Sequence, residues 1–415
     1  MQSIPFYKPS IGEAEINEVV DCLRSGWLTT GPKTKQFEAE FARYIQRTHA
    51  VAVNSCTAAL HLALEAVGLR SGQTVVVPTM TFAATAEVVR YFNAKPLLVD
   101  CRPTDLNLDV ASAAERIESA LGRDEDVAAI IPVHYGGQIG DMAGVVALAK
   151  RYDLKIIEDA AHCCPAYYRD NAASPWKAVG NEAEISCFSF YANKTITTGE
   201  GGMACTESQE LADRMRIMSL HGISRDAWKR YTAEGSWYYE IVAPGYKYNL
   251  ADIAAAIGLH QLRKADRLHE KRTQWARLYT ELLSDTDELI LPQELPDRIH
   301  SWHLYSVRLP LVGLNLDRAE VISQLKAAGI STSVHWMPLH LHPYYRATFG
   351  CEPSDYPCAT DIYPELVSLP LYPDLTAEEV AHVCRTLKEI IARSRVAVQS
   401  ARIPVAAETP IAIAR

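Results

Sequence analysis

The stretch Leu154-Lys155-Ile156-Ile157-Glu158-Asp159 decides the fold. It is short and nearly all apolar, it follows the amphipathic segment Met142 to Tyr152, and it stops on an acid. A strand without polar alternation has both faces covered, as the inner strands of a parallel sheet do. Working outward, the same alternation continues on both sides. Upstream, Thr57 to Val67 reads as helix, Thr74 to Val77 as strand, Thr85 to Phe92 as helix, Pro96 to Asp100 as strand, Asp109 to Leu121 as helix and Val127 to Val133 as strand. Downstream, Glu184 to Phe190 and Gly202 to Thr206 add two strands. Short apolar strands separated by amphipathic helices predict a mostly parallel sheet with helices on both faces.

Two helices precede this unit. Ile16, Val19, Val20 and Leu23 recur at helical spacing after Ser10, a candidate N-cap, and Gly26 suits the left-handed residue that ends a helix. Phe37, Phe41, Tyr44 and Ile45 mark one face of the second helix. Beyond a polar and aromatic stretch from Gly222 to Asn249, the spacing predicts one long helix over Ala251 to Leu283, a strand at His303 to Leu309, and helices at Asp317 to Ala328 and Ala377 to Ser394. The division expected is a large α/β domain over 1–250 with an N-terminal helical segment, and a smaller α+β domain over 251–394 that includes the connecting helix. The tail 395–415, rich in Ala, Val and Pro without period, is expected to be mobile.

Bulk properties exclude several classes. The 415 residues hold 41 Lys and Arg against 50 Asp and Glu, a formal charge of -9, so the surface repels nucleic-acid phosphates and an anionic ligand needs a local site. No segment approaches the roughly 20 uninterrupted apolar residues that span a bilayer, and no signal peptide opens the chain, so a cytoplasmic protein is expected. Ten cysteines are scattered without metal-ligand spacing and read as buried thiols rather than a disulfide framework or zinc site.

Three places carry chemistry. Asp159 stands at the carboxyl end of its strand, where open α/β sheets bind ligands. It can pair with a protonated pyridine nitrogen, or it can cap a helix starting at Ala160-Ala161-His162. Asn54-Ser55-Cys56-Thr57 opens a helix whose N–H groups and dipole can cradle a phosphate, although a capping Ser or Thr looks the same. Finally, Phe188-Ser189-Phe190-Tyr191-Ala192-Asn193-Lys194 runs from strand into loop and continues to Gly199-Glu200-Gly201-Gly202. A lysine lodged among aromatics loses its proton more easily than an exposed one and can attack an aldehyde.

These motifs, with Pro244-Gly245-Tyr246-Lys247-Tyr248-Asn249-Leu250-Ala251-Asp252, resemble those of the DegT/DnrJ/EryC1/StrS sugar aminotransferases, collinearly from about Ile4 to Ile391. The resemblance implies fold type I, the aspartate aminotransferase-like fold, and pyridoxal 5'-phosphate (PLP) as cofactor. Lys194 matches the lysine that forms the Schiff base, Asp159 the partner of the pyridinium nitrogen, and His162 the contact to the ring's phenolic oxygen. Thr57, Ala58 and Ser189 match phosphate contacts, Phe82 matches the aromatic that stacks on the ring, and Asn249 matches a residue that reaches the phosphate of the neighbouring subunit. A homodimer with shared active sites is thereby implied. Cys56 departs from the glycine that many members carry.

His303 and His335 resemble substrate-side positions, but each can equally be a packed histidine. Arg225, Lys229, Arg230, Trp237 and Tyr238 could grip a pyrophosphate and stack on a base, or form a solvated loop. The activity implied is transamination, from L-glutamate to a nucleotide-linked 3- or 4-keto sugar, in amino-sugar biosynthesis. Two alternatives stay open: another PLP reaction on the same fold, such as sugar dehydration or an amino-acid lyase, and a non-catalytic regulatory homologue.

Overall fold

The computed structural model describes residues 3–224, 239–311 and 313–395. Helices α1 (Glu13–Ser25) and α2 (Pro32–Tyr44) lead into β1 (His49–Val53) and α3 (Cys56–Ala66). The alternation continues through β2 (Thr74–Pro78), α4 (Ala83–Arg90), β3 (Lys95–Val99), α5 (Val110–Leu121), β4 (Val127–Ile130), α6 (Met142–Tyr152) and β5 (Lys155–Asp159). Two short strands, β6 (Tyr167–Tyr168) and β7 (Lys177–Ala178), intervene before β8 (Ile185–Ser189), β9 (Gly202–Thr206) and α7 (Gln209–Ser219).

The principal sheet has seven strands in the order β1-β9-β8-β5-β4-β2-β3. Pairs β3-β2, β2-β4, β4-β5 and β5-β8 are parallel, while β9 runs antiparallel to both β8 and β1. This mostly parallel mixed sheet is that of fold type I. The edge strand β1 and helix α7 were not anticipated. His49-Ala50-Val51-Ala52-Val53 is dominated by small residues, so its period is weak, and antiparallel pairing with β9 sets it.

One face of the sheet packs against a cluster in which Phe37, Phe41, Phe188 and Phe190 meet at ring separations of 5.1 to 6.0 Å. The other face packs under α3, α4 and α7 through Leu60, Leu62, Leu64, Val88 and Met215. A separate apolar core gathers Ala276, Tyr279, Tyr305, Val321, Leu369 and Leu387. Around it lie α9 (Ala265–Leu283), the antiparallel pair formed after β10 (Arg298–Ile299) by β11 (Tyr305–Arg308) and β12 (Leu366–Leu369), α10 (Arg318–Ala327) and α13 (Ala377–Ser394), whereas α8 (Asp252–Arg263) and α11 (Pro343–Phe349) pack on the two cores of the sheet and α12 (Pro357–Ile362) joins a small cluster with Met80 and Tyr135.

Three readings of the sequence need correction. Helix α1 is capped at Gly12, whose N–H donates to Glu15 Oε2 at 2.9 Å, and not at Ser10, whose carbonyl is already used by Gln261 and Lys264. The long helix is two helices, because the backbone leaves the helical region at Lys264, whose ammonium pairs with Glu15 at 2.6 Å. Ala255, Leu259 and Leu262 of α8 join the core of the sheet, whereas Ala276 and Tyr279 of α9 join the second core, so we propose that the domain boundary falls within this pair. Strand β11 begins at Tyr305 rather than His303, because the N–H groups of Ser301 and Leu304 donate instead to the carbonyls of Gly137 and Gly136.

Candidate active site

A cavity of about 400 Å³ opens at the carboxyl ends of the parallel strands. Asp159, the last residue of β5, is buried at its floor. Its Oδ2 accepts a hydrogen bond from the Thr85 hydroxyl at 2.9 Å, and Thr85 meets Thr81 at 2.7 Å. Oδ1 accepts from the Ala161 N–H at 3.1 Å. The residues after Asp159 form a turn, so the carboxylate caps no helix. Burial pushes its carboxyl group up from the usual range, which makes it a strong acceptor for any cation that shares the floor.

Lys194 lies on the loop between β8 and β9, a tight excursion tied down by its own threonines. The Thr195 hydroxyl donates to the Cys164 carbonyl, and the Thr197 hydroxyl donates to the Phe190 carbonyl at 3.0 Å while accepting the Gly199 N–H at 2.9 Å. The side chain is half-buried against the cavity, and loss of water around the ammonium pushes its pKa down to about 8, against the attraction of Asp159. A fraction of this lysine is therefore an uncharged nucleophile near neutral pH.

The start of α3 supplies the third side. Ser55 caps it, accepting the Ala58 N–H at 3.1 Å, and Ser55, Cys56 and Thr57 line the cavity while Ala58 is packed beneath. Gly202 is required here: a Cβ on it would lie 2.4 Å from the Ser55 carbonyl oxygen and 2.6 Å from the Cys56 nitrogen. The Glu-Gly-Gly segment thus lets β9 approach the helix terminus, and Cys56 is accommodated without closing the cradle. Phe82 is 60% exposed at the mouth, and Ser189 also lines the cavity.

The far wall comes from the C-terminal half of the chain. His162 lies buried with its ring 4.2 Å from that of His303 and stacked on Trp336 at 4.9 Å and 29°. Its Nδ1 accepts the Gly136 N–H at 3.2 Å, which places the proton of the neutral ring on Nε2. Gly137, at φ +107°, makes this approach possible, since a Cβ there would meet Ser301 Cβ at 2.9 Å and the His303 nitrogen at 3.1 Å. Neither ring nitrogen of His303 has a partner among the described residues. The buried Arg272 holds its backbone from behind, donating to the carbonyls of Trp302, His303 and Leu371 at 3.3, 3.4 and 2.9 Å. His335 Nδ1 lies 2.9 Å from Ser368 Oγ. Burial lowers His162 and His303 far below the usual imidazole range and takes His335 down to about 4, so all three rings are neutral at pH 7.

The structure therefore gathers Thr57, Phe82, Asp159, His162, Ser189, Lys194, His303 and His335 around one cavity. Asn249 is elsewhere in its own chain: its amide donates to Thr30 Oγ1 at 2.7 Å and its carbonyl accepts from Lys247 at 2.6 Å. Arg225, Lys229, Arg230, Trp237 and Tyr238 lie outside the described residues. Reading the sequence missed Thr85, Asn193 and Trp336. Thr85 lies four residues beyond Thr81, one helical turn that the Thr81-Phe82-Ala83-Ala84-Thr85 spacing could have suggested. Asn193 and Trp336 carry no local pattern.

The chain matches the model of the DegT/DnrJ/EryC1/StrS aminotransferase family over residues 9–388. It is 42% identical to the spore coat polysaccharide biosynthesis protein SpsC of Bacillus subtilis, over 94% of this chain and 97% of that one. Among solved structures it superposes on the PMP (pyridoxamine phosphate) form of Spr1654 from Streptococcus pneumoniae with a TM-score of 0.86 and 33% identity, covering 94% and 99% of the two chains. It superposes on Helicobacter pylori PseC, an aminotransferase involved in the biosynthesis of pseudoaminic acid, with a TM-score of 0.85 and 26% identity, covering 94% and 100%.

Proposed function

The chain belongs to the DegT/DnrJ/EryC1/StrS aminotransferase family, and from that premise we propose that this PLP-dependent enzyme moves nitrogen from L-glutamate to the 3- or 4-keto carbon of a sugar carried on a nucleoside diphosphate, most simply a 6-deoxy hexose. The observation that carries the proposal is the sharing of one cavity by a half-desolvated lysine, a buried carboxylate, a helix N-terminus and a wall of neutral imidazoles.

The residues fit PLP. Asp159 would hold the pyridine nitrogen, Lys194 the aldehyde carbon, and the α3 terminus with Thr57 and Ser189 the phosphate, while Phe82 would cover the ring. PLP bound there supplies an electron sink that stabilises negative charge on the carbon attached to nitrogen. The chain's own part is to keep that sink polarised and to move protons. Asp159, already desolvated and oriented by Thr85 and Ala161, would take a protonated ring nitrogen as its direct counter-charge. Lys194 Nζ, once displaced, is the base and acid that shifts the proton at the reacting carbon, with a pKa close to the working pH. His162, a neutral donor through Nε2, suits a phenolate oxygen. His303 and His335 remain for the sugar, whose hydroxyl and carbonyl groups suit uncharged donors and acceptors.

The cofactor phosphate draws one further ligand, we infer, from Asn249 of a second copy, which makes a homodimer the working unit. Nucleotide-activated sugars also place the reaction in the cytoplasm, and no helix among the described residues is long and apolar enough to cross a membrane.

Incubating the yellow PLP form with L-glutamate tests the donor: the expected products are pyridoxamine phosphate and 2-oxoglutarate in equal amounts. Adding nucleotide-linked keto sugars to the pyridoxamine form, with mass and NMR identification, tests the acceptor. Consumption of the amino acid without formation of the pyridoxamine form would instead favour a lyase. The dimer is tested by mixing Lys194→Ala and Asn249→Ala homodimers under subunit exchange. Hybrids then carry one site with both lesions and one with neither, so activity rises; with exchange proven by mass, activity at the mean of the parents rules the shared site out.

A further inference from the structure

Cys101 and Cys358 are 257 residues apart in sequence, yet their sulfurs are in contact at 3.9 Å. Cys101 follows β3 and is only 1% exposed; Cys358, near the start of α12, is half-buried. One carboxylate sets both backbones. Asp100 Oδ1 accepts the N–H groups of Cys101 at 2.8 Å and Ala359 at 2.9 Å, and Oδ2 accepts that of Cys358 at 2.8 Å. A cleft of about 730 Å³, lined by both cysteines together with Asp109, Arg116, Arg308 and Asp355, leads to the pair from solvent. The remaining cysteines form no such sulfur–sulfur hydrogen bond among the described residues.

We propose that Cys101 and Cys358 form an oxidisable dithiol that hydrogen peroxide, entering by this cleft, closes to a disulfide joining the end of β3 to the short helix α12. The Cys101 thiol donates its hydrogen bond to Cys358, which lowers Cys358 below the usual thiol range, while Cys101 is raised well above it. Cys358, the more exposed of the two sulfurs, is the one that the peroxide reaches and is thus the attacking thiolate. Its sulfur takes one peroxide oxygen, the O–O bond breaks, and hydroxide leaves as water, giving Cys358 sulfenic acid. The Cys101 sulfur then attacks the Cys358 sulfur; the S–O bond breaks, the S–S bond forms, and hydroxide leaves with the Cys101 proton as a second water. Two thiols are oxidised and one peroxide is reduced. Closing from 3.9 Å to a bond of about 2.05 Å needs movement of about 2 Å.

A zinc ion suits the site less well. The Asp100 carboxylate already accepts three backbone N–H groups, which occupy the lone pairs it would turn to a metal ion. The two thiols then lack the third and fourth donors that zinc requires.

The test uses the reduced holoenzyme treated with equimolar hydrogen peroxide, alkylated, and digested without reductant. Expected are the loss of two titratable thiols, a mass decrease of about 2 Da in the intact protein before alkylation, a single Cys101–Cys358 linked peptide, and full reversal by dithiothreitol. Cys358→Ser should abolish the bridge while retaining transaminase activity, which shows it folded. Cys101→Ala should stop at a sulfenic acid on Cys358 that dimedone traps. Oxidation of Cys358 in the native chain without a bridge, a bridge between other cysteines, or stoichiometric zinc in the purified protein that Cys358→Ser loses would each overturn the proposal.

Discussion

The floor of the cavity and its far wall are built on different terms. On the floor, Asp159 and Lys194 come from strand ends and the loop of one sheet, and the Asp159 carboxylate and the Lys194 loop are both held by named hydrogen bonds, from Thr85 and Ala161 and from Thr195 and Thr197. On the wall, His303, His335 and Trp336 arrive more than a hundred residues later in the chain, and His303 keeps both ring nitrogens without partners among the described residues. On the proposed roles, the groups that would perform the same chemical step on every turnover are fixed in advance, and His303, which would meet the substrate, is placed by its backbone with hydrogen-bonding capacity in reserve, since Arg272 grips carbonyls rather than the ring.

The contrast breaks first at Lys194. On the proposed roles, Lys194→Ala lowers turnover by about 10⁴-fold, the upper range for a lost proton-transfer group, while the protein still takes up PLP through the phosphate cradle. Single-turnover absorbance with L-glutamate measures both at once. Turnover within tenfold of native would remove Lys194 from the chemistry. Next, Asp159→Asn keeps the shape of the floor and its bond to Thr85 but cannot match a cationic nitrogen. A loss of turnover of about 100-fold is expected, with cofactor content little changed, because leaving a buried charge without its partner costs a few kcal/mol. If cofactor content and turnover fall together, Asp159 is an anchor rather than an electronic control.

The floor was legible in the sequence and the wall was not, for a physical reason. An apolar run that ends on Asp159, a capped helix start at Ser55 and a lysine beside Gly-Glu-Gly-Gly are patterns written within a few consecutive residues, although Thr85 and the Cys164 carbonyl complete them from elsewhere. The wall depends on contacts across the fold: Gly137 admitting the 301–304 loop, Arg272 reaching three carbonyls, Trp336 stacking on His162. No spacing in the sequence encodes them. The two misjudged element bounds have the same origin, since the break at Lys264 follows an ion pair with Glu15, and the late start of β11 follows backbone bonds to Gly136 and Gly137. β1 was missed because its register is supplied by β9, about 150 residues downstream.

Wall substitutions should act on substrate affinity. His303→Ala is expected to raise KM for the sugar acceptor about tenfold, the equivalent of one lost hydrogen bond of about 1.4 kcal/mol, with the glutamate half-reaction nearly unchanged. Arg272→Met should move the same KM in the same direction by less, about threefold, because the loop retains its bonds to Gly136 and Gly137. Steady-state kinetics of the two half-reactions check both. If Arg272→Met lowers both half-reactions equally, it supports the fold as a whole and does not position His303.

On stability, wall and floor act at opposite ends of the pH scale. Burial holds His300 down to about 3 and His335 to about 4, so these rings stay neutral in the folded chain at pH values where the unfolded chain has already protonated them. From about pH 6.5 down to about 4 the unfolded state binds more protons, and stability falls by roughly 1.4 kcal/mol per pH unit for each such ring. In the cofactor-free chain Lys194, pushed down to about 8, acts with the same sign in a different window: between about 8 and its ordinary value the unfolded state alone holds the proton, so stability rises with pH there too. Urea midpoints of the cofactor-free protein should therefore decline below pH 6.5. His335→Gln should flatten that acid limb by about one proton's slope, and Lys194→Met should flatten only the alkaline one. An acid limb untouched by His335→Gln would mean that the ring is solvated in the folded state, and that the wall is looser than its packing against Phe6 and Ser368 implies.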